Sequence, residues 1–379
     1  MILAVLAGLA AGLWLAVLLA PWRAWSTRER LDAAANAPLE DALPHDLAAV
    51  TALVPARDEA AVIARTVAAL RAQGAGLRII VVDDQSSDDT AEIARRAGGA
   101  ECEVVAGAPL PNGWVGKLWA LEQGRRRVRT PLTLLVDADI ELRPGLVAAL
   151  LAHRRAERRQ LVSLMAVLQM TSAWERLLIP AYVYFFKLLY PFRLSNSRGR
   201  LVAAAAGGCV LVETALLERI GGFGAIRDAL IDDCTLARRV KDAGGATWIG
   251  LTHSAISLRR ARTFRAIWDM VARSAFAQLR FSTLFLLCCA ALLVLAFCVP
   301  PLGLLARDAW TRWTSLAALA AMMASYIPVL RYYGRSPVWA LALPLTGTLY
   351  LLMTVDSALR AWRGVRSQWK GRLYRASAM

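Results

Sequence analysis

Residues 1–22 carry no charged side chain, and three further uncharged, mostly apolar stretches, 283–306, 313–330 and 336–355, crowd the other end of the chain. About 20 apolar residues at helical rise are enough to cross a bilayer core. The mean hydropathy of +0.44 is therefore carried by the two ends, and the soluble part of the chain is confined to the middle. A cleaved signal peptide would place basic residues before its apolar run and a small-x-small site after it. Here Arg23, Arg28 and Arg30 follow the run, and Pro21-Trp22 has the look of a membrane interface. We read 1–22 as an uncleaved anchor, which puts residue 23 onward in the cytoplasm by the positive-inside tendency. If the three later stretches of the 283–357 region all cross, the tail 358–379 ends outside. Yet Arg360, Arg363, Arg366, Lys370, Arg372 and Arg375 argue for an inside tail, so either one segment is re-entrant or the apolar stretch 177–192 penetrates the bilayer.

The formal net charge is +16 over 379 residues, with arginines gathered at membrane flanks, in 124–129, in 153–159 and in the tail. No DNA- or RNA-binding module accompanies them, so an anionic phospholipid surface explains the charge more economically than a nucleic acid. The six cysteines show no CxxC spacing, and three of them lie in an expected membrane span. They read as small hydrophobes rather than as a disulfide framework or a zinc site.

Between 45 and 282, short apolar runs alternate with amphipathic stretches. Strands are expected at 49–54, 77–82, 102–106, 132–136 and 161–170, with helices at about 60–73, up to 97 and at 117–126. That alternation predicts an α/β domain, a Rossmann-like, mostly parallel sheet with flanking helices. Ligands of such sheets bind beyond the carboxyl ends of the strands. Asp58, Asp84 and the pair Asp137/Asp139 would share that edge although they are distant in sequence.

Acidic pairs are the exception in this basic chain: Asp83-Asp84, Asp137-Ala138-Asp139 and Asp232-Asp233. Converging carboxylates oppose one another's ionisation, and a divalent metal removes that cost. Oxygen ligands at Asp-x-Asp spacing after a strand suit Mg2+ or Mn2+, with a substrate diphosphate completing the shell. Asp88 and Asp89 read equally well as caps of the helix that follows, and Asp232-Asp233 stand at a helix start where caps are frequent. The turn-rich segment 107–117, GAPLPNGWVGK, is not a P-loop, because Leu118 stands where Ser or Thr is required. Lys117 either contacts a phosphate or is a surface lysine. The aromatic stretch 177–192 is either an interfacial helix near a lipid acceptor or a buried core helix. Gly207-Gly208 permit close ligand approach or tight packing.

Taken together, PARDE at 55–59, VVDDQSSDDT at 81–90, DAD at 137–139, GGC at 207–209 and IDD at 231–233 resemble family 2 glycosyltransferases. GWVGK at 113–117 and FAQLRFS at 276–282 resemble more narrowly the hopene-associated glycosyltransferases of bacterial hopanoid gene clusters. The resemblance implies a GT-A fold, a nucleotide-diphosphate sugar donor, a divalent metal and an inverting displacement, in a multi-pass protein of the bacterial inner membrane. It implies donor contacts at Pro55, Ala56, Asp58, Asp84, Lys117 and Asp137, and metal ligation by Asp139 with Asp137. Asp233, paired with Asp232 where the family has Glu, matches the general base. Gly207, Gly208, Gln278, Arg280 and Phe281 are candidates for the acceptor and diphosphate side. The family's Gln-x-x-Arg-Trp motif is displaced here, which favours single-sugar transfer over polymerisation. The acceptor is expected to be a membrane lipid such as a hopanoid, with a polyprenyl phosphate or ceramide-like lipid as the alternative. A catalytically inactive scaffold with the same fold is the reading from outside enzymology.

Overall fold

The computed structural model describes residues 1–33, 46–369 and 372–375. The expected domain boundary at residue 45, and residues 370–371 and 376–379 of the tail, lie outside the described residues.

The soluble domain is built on β1 (Val50–Ala56), whose seven residues are all buried. A strand covered on both faces reads as a continuous apolar run rather than an alternating one, and VTALVPA does. Its one hydroxyl is satisfied, Thr51 Oγ1 lying 2.7 Å from Thr130 Oγ1. After β1 the chain forms α2 (Ile63–Arg71), β2 (Arg78–Asp83), α3 (Thr90–Gly98), β3 (Cys102–Ala106), α4 (Gly116–Arg125), β4 (Leu132–Val136), β5 (Ile140–Leu142) and α5 (Leu146–Ala156). Next come β6 (Leu161–Val167), α6 (Ala173–Leu189), α7 (Phe192–Ser195), β7 (Cys209–Glu213), α8 (Thr214–Arg219), α9 (Asp232–Asp242) and β8 (Thr247–Ser257).

The eight strands form one sheet in the order β3-β2-β1-β4-β7-β6-β8-β5. The β3-β2-β1-β4 half is parallel, as βαβ crossovers require. Beyond β4 the sheet is mixed. β7 runs antiparallel to both β4 and β6, β8 is parallel to β6, and β5 is antiparallel to β8. The chain order reverses between β1 and β4, so their carboxyl ends flank a crevice suited to a ligand. Pro55 closes one side of it and Asp137 the other.

After β8 two short helices, α10 (Phe264–Ala272) and α11 (Ala275–Gln278), lead toward the apolar helices. Among the described residues four helices are long and apolar enough to cross a membrane: α1 (Ile2–Leu19), Thr283–Gly303, α14 (Ala309–Tyr332) and Pro337–Trp362. Within the second, α12 (Thr283–Leu293) passes through a π turn at Val294–Cys298 into α13 (Val299–Gly303), where Pro300 and Pro301 remove two backbone donors. The fourth begins as a 3-10 turn, Pro337–Ala342, and continues as α15 (Leu343–Trp362). The third and fourth run past the sequence limits of 330 and 355, and Arg360 belongs to α15 rather than to a tail. Beyond it β9 (Val365–Trp369) and β10 (Arg372–Arg375) pair as an antiparallel hairpin.

Most of the stretch 177–192 is helical, but α6 ends at Leu189 and starts earlier, at a capping box in which Ser172 accepts from the Glu175 N–H. It packs on both the soluble domain and the apolar bundle. Tyr184 bonds Ser325 of α14 at 2.6 Å, and Leu178 O accepts from the Tyr350 hydroxyl of α15 at 2.9 Å. All six cysteines are free, Cys209 and Cys234 buried and Cys288 exposed.

Candidate active site

Lys117 organises the site. It lies in the first turn of α4, which starts where the Val115 N–H donates to Arg227 O at 2.8 Å. Its ammonium stands 2.9 Å from Asp137 Oδ1, at the end of β4, and 3.0 Å from Asp232 Oδ2, at the start of α9. One cation thus bridges two of the acidic pairs seen in the sequence. Burial alone would lower the pKa of Lys117, but Asp137, Asp232 and Asp233 outweigh it and hold the amine firmly protonated. Asp137 shows the reciprocal pressure. Its side chain keeps 32% of its surface open to the cleft yet lies deep in the molecule. Burial raises its pKa, Lys117 opposes the rise, and Asp139 and Asp232 add to it.

Asp233 is set apart from its neighbour. Its carboxylate accepts the Gly207 N–H at 2.9 Å and its own helix's Cys234 N–H at 2.7 Å, whereas Asp232 is paired with Lys117. Burial, then repulsion from Asp232, pushes Asp233 up to about 7, against the pull of Lys117 and the two N–H donors. Gly207 lies close against this pair: a Cβ there would stand 3.2 Å from the Lys117 ammonium and 3.6 Å from Asp233 Oδ2. Asp139 is held from β8: Ser257 Oγ donates to it at 3.0 Å, and Arg259 Nε lies 3.5 Å away while pairing with Glu59 at 2.7 Å.

These groups line one cleft of about 950 Å³. Pro55, Lys117, Asp137 and Asp139 lie at its sheet end, and Gly207, Gly208, Asp232 and Asp233 at its centre. Toward the apolar helices it is walled by Tyr182 and Phe186 of α6, Gln278 of α11, and Ser357 and Arg360 of α15. Gln278 is fixed by the Tyr190 hydroxyl at 2.6 Å.

Other expected residues stand outside the cleft lining. Asp58 adopts a left-handed φ of 49° and accepts from Ser87 N at 2.7 Å, which ties the β1 edge to the loop after β2. Asp84 is fully buried, with its backbone N–H on Ala56 O at 2.8 Å. Ala56 is buried in β1. Arg280 is exposed and is not among the residues that line the cleft, and Phe281 packs on Phe276 at 5.6 Å between ring centres, in the cluster with Leu286 and Ala358. Asp83 takes the Ser86 hydroxyl, and Asp88 accepts from Thr90 and from Ala60 N–H, so these two acids serve the turn. The sequence reading missed Ser257 and Arg259, because it overlooked β8. That strand, Thr247–Ser257, is buried along most of its length although Thr252, His253 and Ser254 interrupt its apolar run.

Among the described residues no three His, Cys, Asp or Glu side chains converge as a ready-made metal cage. Two hard carboxylates, Asp137 and Asp139, do face the same cleft end, and Mg2+ is characteristically held by one or two carboxylates plus substrate phosphates. The donor set therefore fits a divalent ion shared with a phosphorylated ligand.

Residues 51–221 match the family described as Glycosyl transferase family 2. The chain carries a glycosyltransferase family 2 domain. Over 117 residues it is 32% identical to the 4,4'-diaponeurosporenoate glycosyltransferase of Staphylococcus haemolyticus, covering 30% of this chain and 31% of that protein. Over 176 residues it is 30% identical to the undecaprenyl-phosphate 4-deoxy-4-formamido-L-arabinose transferase of Pseudomonas paraeruginosa, covering 44% and 47%. The chain thus spans less than half of the length of the curated relatives it matches. In three dimensions it resembles a mannosyltransferase of Pyrobaculum calidifontis solved with GDP-Man and Mn2+, with a TM-score of 0.56 at 19% identity over 94% of this chain and 98% of that one. This likeness supports the GT-A fold.

Proposed function

We propose that this protein transfers a sugar from a nucleotide-diphosphate donor to a membrane lipid, with inversion, in a bacterial inner membrane whose cytoplasmic face carries the catalytic domain. The observation that carries the reading is the Lys117 bridge between Asp137 and Asp232, which sets a phosphate-handling end and a proton-accepting end against each other in one cleft. In the reaction the acceptor oxygen attacks the anomeric carbon while the bond from that carbon to the diphosphate breaks. The nucleoside diphosphate leaves with the bonding pair. Asp233 takes the hydroxyl proton, since it is the acid of the pair not engaged by the lysine and its pKa near 7 suits a base at neutral pH. Asp232 keeps Lys117 on the diphosphate side. Asp137 and Asp139 would hold Mg2+ or Mn2+, which when bound neutralises charge developing on the leaving diphosphate. Asp58 and Asp84 are assigned to the nucleotide by the family resemblance, through the loop they brace.

For the acceptor, a hopanoid hydroxyl is the reading supported by the likeness of GWVGK and FAQLRFS. A second reading, a polyprenyl phosphate or lipid acid, is favoured by the arginines Arg260, Arg265, Arg273 and Arg360 around the lower cleft. The two are chemically separable. A hydroxyl must lose a proton as it attacks, whereas a phosphate or carboxylate arrives already ionised. Purified protein offered a panel of nucleotide sugars and each lipid class, with and without Mn2+, decides between them by product mass. Chelation is expected to abolish transfer and Mg2+ or Mn2+ to restore it. Asp233→Asn is expected to silence a hydroxyl acceptor and spare an ionised one. Undiminished transfer after complete chelation would remove the metal from the account.

A further inference from the structure

We propose that the last apolar segment, Pro337–Trp362, does not cross the membrane but enters and leaves it on the catalytic-domain side, so that the returning helix α15 forms the membrane-side wall of the cleft. Its starting side is fixed by the end of α14. The Tyr332 ring stacks on His253 of β8 with centres 4.2 Å apart, and Tyr333 packs with Phe192 and Ile249 of the soluble domain. Only Tyr333 to Ser336 separate that end from Pro337.

Its finishing side is fixed just as firmly. Asp356 accepts from Trp268 Nε1 at 2.6 Å, Ser357 Oγ accepts from the Phe276 N–H at 3.0 Å, and Arg360 pairs with Asp269 at 2.8 Å. Trp268, Asp269 and Phe276 belong to α10 and α11, which follow β8 directly. The contact begins midway along the helix, where the Tyr350 hydroxyl reaches α6. A crossing helix separates its two ends by the roughly 30 Å of the hydrocarbon core, and here both ends touch one domain.

The outward side of the segment is nonetheless built for lipid, with Val338, Leu341, Leu345 and Leu352 exposed. Backbone that turns within a bilayer is tolerated where protein covers it, and the Pro337–Ala342 turn packs along α14. Three crossings, by α1, Thr283–Gly303 and α14, then leave the basic end of the chain on the same side as the domain. That resolves the conflict between apolar segments and charge seen in the sequence. The return also delivers Ser357 and Arg360 to the cleft that contains Asp233, which makes Arg360 a positioning residue for the lipid headgroup.

The test uses the full chain in sealed vesicles whose catalytic domain binds antibody without detergent. A tag behind a specific protease site is placed at the C-terminus and, in a second variant, after Arg307. Cleavage of the C-terminal tag with protection of the Arg307 tag is the expected result. Protection of the C-terminal tag, or cleavage of both, would overturn the assignment. The part played by Arg360 rests on the transfer reading. Arg360→Gln should raise the acceptor KM at least several-fold with the donor KM unchanged, and Arg360→Lys should recover part of the loss. An unchanged acceptor KM would remove α15 from the site. Because the tag assay needs no activity, its outcome is independent of whether transfer occurs.

Discussion

At the scale of single residues, the site is a balance between carboxylates and one amine. Asp137, Asp232 and Asp233 crowd the Lys117 ammonium, so Lys117→Met leaves three acids uncompensated. The cleft wets part of the pair, and the expected loss of stability is between about 1 and 3 kcal/mol, below that of a fully buried pair. Urea or thermal unfolding checks it. Asp233 obeys the opposite logic. Its pKa is raised from 3.8 to about 7, so between those values the folded chain holds a proton that the unfolded chain has released. That contribution to stability is fully present in acid and is lost as pH rises toward 7. Asp233→Asn should therefore raise the unfolding midpoint relative to the parent, increasingly so from pH 4 to 7, by on the order of a few degrees. With a hydroxyl acceptor the same change should cost 10²- to 10⁴-fold in kcat, on the order of a general base's contribution. In the parent enzyme kcat/KM should climb with pH through about 7, and a flat profile would detach Asp233 from the chemistry.

At the scale of elements, β1 and α4 position the donor end by close packing. A Cβ on Gly124 of α4 would lie 2.2 Å from Leu53 Cδ1, which shows how tightly the helix seats on the strand. Leu53→Ala should open a cavity under α4 and cost about 2–5 kcal/mol. It should also weaken donor binding, because Lys117 rides on that helix; denaturation and donor titration of one sample read both effects. The same elements show what the sequence made legible. β4 ends at Val136 as read, since LTLLV is an unbroken apolar run closed by acids, and β3 matches for similar reasons. β8 was overlooked because Thr252 and Ser254 look polar, yet both are buried, with their hydroxyls satisfied by Asp32 Oδ1. A partner over 200 positions away leaves no local signal. Lys117 was undecided for the same reason, because its meaning lies in Asp137 and Asp232, which only the folded sheet brings to it. Arg280 and Phe281 show the other direction, since neither lines the cleft. A family pattern placed them at the site, but left-handed backbone at both, φ 54° and 56°, accompanies a turn that leads Phe281 into the Phe276 cluster.

At the scale of the whole molecule, a basic chain of net charge +16 sets the sheet edge that carries Asp137 against an apolar helical bundle, with α6 as the shared wall. On the proposed function, a polyanionic donor would be drawn to so basic a chain, and anionic lipid would hold the chain at the bilayer. On the proposed function a lipid acceptor would meet Asp233 in a cleft whose lining includes both Asp139 and Arg360. The protein should accordingly stay with membranes through alkaline carbonate washing and come off only in detergent, as fractionation and blotting would show. The central claim is that one cleft performs the transfer and that Asp233 takes the acceptor's proton. The most direct measurement is product mass from purified protein, nucleotide sugar and a hydroxyl-bearing membrane lipid, run side by side for the parent and Asp233→Asn. The account predicts a lipid heavier by one sugar residue in the first and almost none in the second; equal product from both would contradict it.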